Sequence, residues 1–190
     1  MTEPKEIATL PPLDVIESTI PLSEATGQPR RLPLMVVGAC FLYAAATAAL
    51  LSAGVAWWQS MDMALFPTAT KLIELTQPRP GGWRSVAWVS ALALLSVVLV
   101  ATPAISGFNA WNGHRWSRIA ALVSIPVAAL GWFFNPIAWA GVPLAAIGAA
   151  ILWTRPVDRY FSHWAEFRAG AIVEPAPAPP VLYGPLPRYR

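Results

Sequence analysis

Charge is scarce in this chain. Only 12% of its 190 residues are Asp, Glu, Lys or Arg, about half the share of a soluble domain. So few polar side chains cannot clothe a surface in water, and a mean hydropathy of +0.50 makes lipid the alternative solvent. Cysteine is scarcer still. Cys40 stands alone, which excludes an intramolecular disulfide and any multi-cysteine zinc or iron–sulfur site from this chain. The histidines are His114 and His163, both outside the long apolar runs. Haem between helices takes an axial ligand from inside the bundle, and neither histidine is placed for that. No glycine-rich phosphate loop, serine elbow or metal-binding helix motif occurs, so no cofactor and no catalytic residue are expected.

The most informative gap concerns ionisable groups. Residues 34–58, 86–108, 119–134 and 137–153 contain no Asp, Glu, Lys, Arg or His. Proton relays, ion sites and voltage sensors need such groups facing a bundle interior. This gap argues against a proton-coupled transporter and leaves an integral membrane protein without obvious chemistry. The acidic pair Asp62 and Glu74 lies in a loop with no nearby His or Cys, so general acid–base catalysis finds no support.

What is present is apolar length. Leu34 to Trp58 is preceded by Arg30 and Arg31 and ends on Trp57-Trp58, the flanking charge and aromatic anchor of a spanning helix. A second segment runs from Val86 to Phe108, with Pro103 expected to kink it. From Ile119 to Trp153 no charge interrupts the chain. That is too long for one crossing, which takes about 20 residues. Asn135-Pro136 sits at its centre, a turn signal between Trp132-Phe133-Phe134 and Trp139. Two crossings follow, 118–134 and 137–153, with a re-entrant hairpin as the alternative. The fold class is therefore an all-α integral membrane protein with four transmembrane helices, interfacial amphipathic helices and proline-rich tails.

The connections have their own character. Residues 1–31 are polar and proline-punctuated and read as an extended tail, with no basic start or early apolar core of a secretory signal. The loop 59–84 places Leu65, Ala69, Leu72, Ile73 and Thr76 at helical spacing, which predicts a short amphipathic helix on the membrane surface. Residues 156–171 put Tyr160, Trp164, Phe167 and Ala171 on one face, which predicts a second interfacial helix. Residues 172–190 are proline-rich and predicted to be extended, a spacer or an arm along another subunit.

With four crossings, the two tails and the link 109–117 share a side with Arg118. That side holds ten of the thirteen Lys and Arg residues, against Lys71, Arg79 and Arg84 on the other. The bias predicts that both termini are cytoplasmic. The net charge of +3 then points to anionic lipid headgroups rather than nucleic acid. His114, Arg115 and Arg118 form a candidate clamp for a lipid phosphate, because guanidinium geometry matches phosphate; the plainer reading is topological charge. Small residues recur at fourth positions, Ala44, Ala48 and Ser52, then Ala45, Ala49 and Ala53, and on the last segment Gly141, Ala145 and Gly148 lie within one helix face. Such faces let helices approach closely, either to close the bundle or to dock on a foreign helix.

The layout of Leu34 to Phe167 resembles small four-helix membrane proteins of actinobacteria. It is carried by an Ala-, Trp- and Pro-rich composition, the link FNAWNGHRWSRIAALV and the tight hairpin FFNPIAW. Some of those proteins look like accessory factors at the edge of respiratory assemblies, including the cytochrome bcc–oxidase supercomplex. The resemblance implies a bacterial plasma membrane and a protein partner, and it transfers no catalytic residue. The leading expectation is a non-catalytic accessory or scaffold subunit binding other integral membrane subunits. The alternative is a small homo-oligomeric transporter, channel or lipid-handling protein; an enzyme would have to use polar residues such as Asp62, Lys71, Glu74 or His114.

Overall fold

The computed structural model describes residues 28–169, which carry helices and no strand. The tail 1–31, apart from its last four residues, and the segment 172–190 lie outside the described residues. α1 is Pro33–Met61, α2 Lys71–Thr76, α3 Trp83–Trp111, α4 Ser117–Ala129, α5 Pro136–Trp139, α6 Gly141–Leu152 and α7 Arg155–Arg168. Short 3-10 turns add Phe66–Thr68 before α2 and Leu130–Phe133 after α4.

Proline and glycine set the breaks. Pro33 opens α1 and Pro156 sits in the first turn of α7, where a missing N–H costs nothing. Asn135 caps α5, its side-chain oxygen accepting from the Ile137 N–H at 3.1 Å. α5 lasts one turn because Pro143, four residues past Trp139, has no N–H to give that carbonyl and crowds it. The helix restarts as α6 at Gly141. α3 continues through Pro103 as one helix. The nearby hydroxyls of Thr102 and Ser106 donate to the carbonyls of Val98 and Thr102, each at 2.7 Å.

α1 and α3, at 29 residues each, are long and apolar enough to cross a membrane. The apolar stretch Ser117–Phe133 is shorter, and Pro136–Leu152 counts as a span only together with α7, to which it is bent by 65°. Two or three membrane-spanning helices are therefore established by length and composition, short of the four expected. The physical reason is the subdivision of residues 117–152 by Gly131, Asn135-Pro136 and Pro143 into pieces too brief to qualify singly.

The long elements nevertheless close a ring. α1 packs on α3 and α6, and α4 packs on the same two from the opposite side. Three alanines, Ala45, Ala128 and Ala145, fill the middle. The seams are equally small. A methyl group added at Gly148 would lie 2.9 Å from Leu42 Cγ and 3.0 Å from the Gly38 carbonyl oxygen. Gly107 brings α3 to 3.4 Å from the Ala39 carbonyl oxygen by the same measure. Between α3 and α4 the buried Ser106 and Ser124 hydroxyls lie 3.3 Å apart. In lipid, where apolar burial gives helices no net drive to associate, this closeness is the source of association.

Both ends of the ring are covered by the chain itself. At the floor, where α1 and α4 begin and α3 and α6 end, α7 lays Val157, Tyr160, Phe161 and Trp164 onto Met35, Leu42, Ala110 and Leu152. At the roof, Phe66, Ala69 and Ile73 pack on Phe134 and Ala138. Both helices expected at the interface pack part of their apolar stripes on the ends of the bundle: Ala69, Ile73, Tyr160 and Trp164 are buried, while Leu65 and Thr76 stay exposed. For the loop, Thr70 makes this possible by capping α2, its hydroxyl accepting from the Ile73 N–H at 3.3 Å. The Lys71 N–H then donates to the Phe134 carbonyl at 2.7 Å.

Tight seams predict an unequal response to the same substitution. Gly148→Ala should cost about 1–3 kcal/mol of stability by overpacking against backbone. Gly54→Ala meets nothing within 4 Å and should match or exceed wild type, by up to about 1 kcal/mol of helix propensity. Thermal unfolding of both variants in one mild detergent checks the contrast.

Candidate functional site

The floor gathers most of the chain's ordered polar chemistry. Arg118, at the start of α4, donates to the Asp158 carboxylate. Its guanidinium lies 4.5 Å over the Trp153 ring, and its side chain is only 13% exposed. Trp153 returns the contact, its indole N–H donating to the Arg118 carbonyl at 3.4 Å. Arg115 stands 3.9 Å from the same carboxylate with a side chain 63% exposed. A second set ties the far end of α7 to the α3–α4 link. Arg168 donates to the carbonyls of Asn112 and Gly113, the latter at 3.1 Å, while stacking 5.2 Å over Trp164. The Tyr160 hydroxyl donates to the Trp111 carbonyl at 3.0 Å. These groups satisfy carbonyls that the C-terminal turn of α3 leaves open, and they place a cation at its negative pole.

Gly113 is what lets the clamp close. Its φ is +70°, and a side chain there would overlap the Trp164 ring. Burial pushes the Tyr160 hydroxyl above its ordinary value of 10.0, against smaller opposing influences from Trp164, Arg31 and Arg168. Tyr160 is therefore a neutral donor across the ordinary pH range.

The three residues proposed to hold a lipid phosphate are brought to one corner but not to one task. Arg118 is engaged by Asp158 and Trp153, Arg115 faces outward beside them, and His114 is half-buried, its backbone carbonyl accepting from the Ser117 hydroxyl at 2.6 Å. Asp158 was missed by sequence reasoning. Its only signal was a lone carboxylate amid Arg155 and Arg159, and its partner lies 40 positions away. Of the small-residue positions, Ala48, Ser52, Gly141, Ala145 and Gly148 are buried in the bundle and Ala44 is half-buried. Gly38 and Gly107 belong with them; Gly38 has no small residue three or four positions away, whereas Ala104 and Ala110 flank Gly107 at helical spacing and were passed over.

The tryptophans fall in two bands. Trp111, Trp116, Trp153 and Trp164 surround the floor; Trp57, Trp58, Trp83, Trp88, Trp132 and Trp139 lie toward the roof. Trp132 and Trp139 stack at 4.5 Å across the hairpin turn. Two aromatic bands with an apolar interval between them suit a membrane with two interfaces. The bundle also has lateral hollows. One of about 280 Å³ opens between α1 and α3 beside Gly54 and Trp57, and one of about 560 Å³ lies between α3 and α4 beside Ser106 and Trp116. Among the described residues no three His, Cys, Asp or Glu side chains cluster as a metal site would require. Comparison with protein-family models, curated proteins and solved structures found no match.

The clamp predicts a local failure with the spans intact. Gly113→Ala or Arg168→Ala should raise amide exchange across α7 and the link 112–116 by at least about tenfold, one lost hydrogen-bonded contact being worth about 1–3 kcal/mol. Exchange in α1 should stay unchanged. Because the folded Tyr160 pKa is raised, its contribution is complete below pH 10 and is lost as pH climbs through the raised value. The protection factors of α7, which allow for hydroxide catalysis of intrinsic exchange, should fall over that interval in wild type and stay level in Tyr160→Phe.

Proposed function

We propose that the chain is a non-catalytic accessory or scaffold subunit of a larger membrane assembly in a bacterial plasma membrane. The reading takes residues 117–152 as two further crossings, four in all, with both termini cytoplasmic. The observation that carries the functional part is that the protein seals itself. Its axis is filled by alanine methyls, its floor by Phe161 and Trp164, and its roof by Phe66 and Ile73. A channel or carrier needs a wettable path through the middle, and here the polar groups are spent on clamping the ends. What the molecule presents instead is its outer wall, where Leu94, Val97, Ile105 and Phe108 of α3 are more than half exposed.

The depth of the hairpin turn supports four crossings. Asn135 donates from its side chain to the Ser52 carbonyl at 3.2 Å. Pro33 to Ser52 is a rise of about 30 Å, one hydrocarbon thickness. The turn thus stands one membrane thickness from the start of α1, at a boundary rather than in mid-bilayer. The segments 117–133 and 136–152 are each about 25–27 Å long, which local thinning accommodates at modest cost. The resemblance to actinobacterial factors makes a respiratory supercomplex of the cytochrome bcc–oxidase kind the context we favour.

The test is recovery from the native membrane. A C-terminal tag at the chromosomal locus, mild detergent and mass spectrometry should return a multi-subunit membrane complex in fixed stoichiometry. Recovery as a monomer free of other proteins sinks the reading. Recovery as a homo-oligomer that passes solute in liposomes replaces it with the transporter alternative.

A further inference from the structure

The minority side of the charge distribution holds a feature the subunit reading leaves unused. A cleft of about 1150 Å³ flanks the start of α3 at the roof. Arg79, Arg84 and Trp83 line its mouth, and among the described residues no carboxylate pairs with either arginine. Its inner wall is Trp88 and Ala91. The same two residues line an adjoining hollow of about 340 Å³ whose floor includes Leu95 and Phe133. The two hollows are one groove, cationic at one end and apolar at the other.

The point where its lining changes has a definite depth. Arg31 lies 4.7 Å over the Trp111 ring, so α1 and α3 share their floor level. One hydrocarbon thickness, about 20 residues, counted back from Trp111 arrives near Ala91. Ser52 and Asn135 mark the same boundary from α1, within the four-crossing frame above. The arginines therefore stand at headgroup height, Trp88 at the boundary, and Leu95 with Phe133 just inside the hydrocarbon. A partner helix laid here would strip water from two guanidiniums that no described carboxylate neutralises, Arg84 having only the Trp83 ring 5.6 Å away, without repaying it. A phospholipid brings the countercharge with it, and guanidinium suits its phosphate.

We propose that this groove binds an anionic phospholipid of the adjacent leaflet, with the phosphate on Arg79 and Arg84 and an acyl chain passing Trp88 toward Leu95 and Phe133. The site is separate from the floor cluster, where Arg118 is engaged by Asp158 and Trp153.

Native mass spectrometry of the purified full chain, titrated with phosphatidylglycerol and separately with phosphatidylcholine, tests it. Wild type should hold one phosphatidylglycerol in preference to phosphatidylcholine. Arg79→Gln/Arg84→Gln should bind it about 30-fold more weakly, the loss expected for two interfacial cations. Arg79→Lys/Arg84→Lys should keep most of the affinity, and Arg159→Gln, an exposed cation at the floor, should change nothing. Both arginines are exposed, so all variants should unfold thermally as wild type does. Equal binding of the two lipids, unchanged binding by the double Gln variant, or loss in Arg159→Gln overturns the site. Displacement of the lipid by millimolar inorganic phosphate overturns it in favour of a soluble anion. Co-purification of a protein partner has no bearing on these readouts, so the two proposals fail separately.

Discussion

How near two backbones can come decides the rest of this molecule. Lipid gives helices no reward for hiding apolar surface from one another, so association rests on contact made at short range. Here the contact is Gly148 of α6 seated against Gly38 and Leu42 of α1, with Gly107 of α3 doing the same on the other flank. Because those seams are tight, the centre has room only for Ala45, Ala128 and Ala145. A centre that narrow can be sealed by single aromatic residues, and the chain supplies them from α7 and from the loop before α3. Remove the glycines and the axis widens, the plugs no longer fit, and Asn135 loses its reach to Ser52.

The two ends are closed by different means. At the roof the closure is mostly apolar, with one backbone hydrogen bond from Lys71 to Phe134 fixing its register. At the floor it is a polar frame around an aromatic centre. Arg118 and Arg168 each stack on a tryptophan while engaging an oxygen across the bundle. Guanidinium is the group suited to both duties, since its edge donates while its face stacks. The arginines at the floor thus serve as joinery as well as topological charge, which narrows what remains for a lipid to meet there.

Much of the architecture was legible in the sequence. Arginine before and tryptophan after an apolar run placed α1, because flanking chemistry marks where a helix leaves lipid, and the apolar run alone placed α3, each within about three residues. Asn135-Pro136 placed the hairpin turn for an equally local reason. The small-residue rows identified Ala48, Ser52, Ala145 and Gly148 as packing positions. What stayed hidden was which surface an amphipathic helix faces. The spacing of Tyr160, Trp164 and Phe167 announces an apolar stripe, and the same stripe fits a bilayer surface or the end of a bundle. Phe161 and Val157, fully buried in the fold, widen that stripe in a direction only the neighbours define. The Arg168 to Gly113 contact spans 55 positions, and no local pattern announces a partner so far away. The lining of the roof groove is similar: Arg79, Trp88 and Phe133 come together only once the loop folds back.

The pairing of Arg118 with Asp158 has a consequence for how the protein is made. The cation leaves the ribosome 40 residues ahead of its carboxylate. In the four-crossing arrangement proposed above, that guanidinium is bare while the hairpin is threaded into the bilayer, and a bare arginine at the end of a short apolar segment resists translocation. It holds its end of α4 in place during insertion, when orientation is still undecided. Neutralisation comes afterwards, once α6 has crossed and α7 emerges. The ion pair is thus a latch fastened after the door is hung: charge serves first to orient the hairpin and only later to lock it.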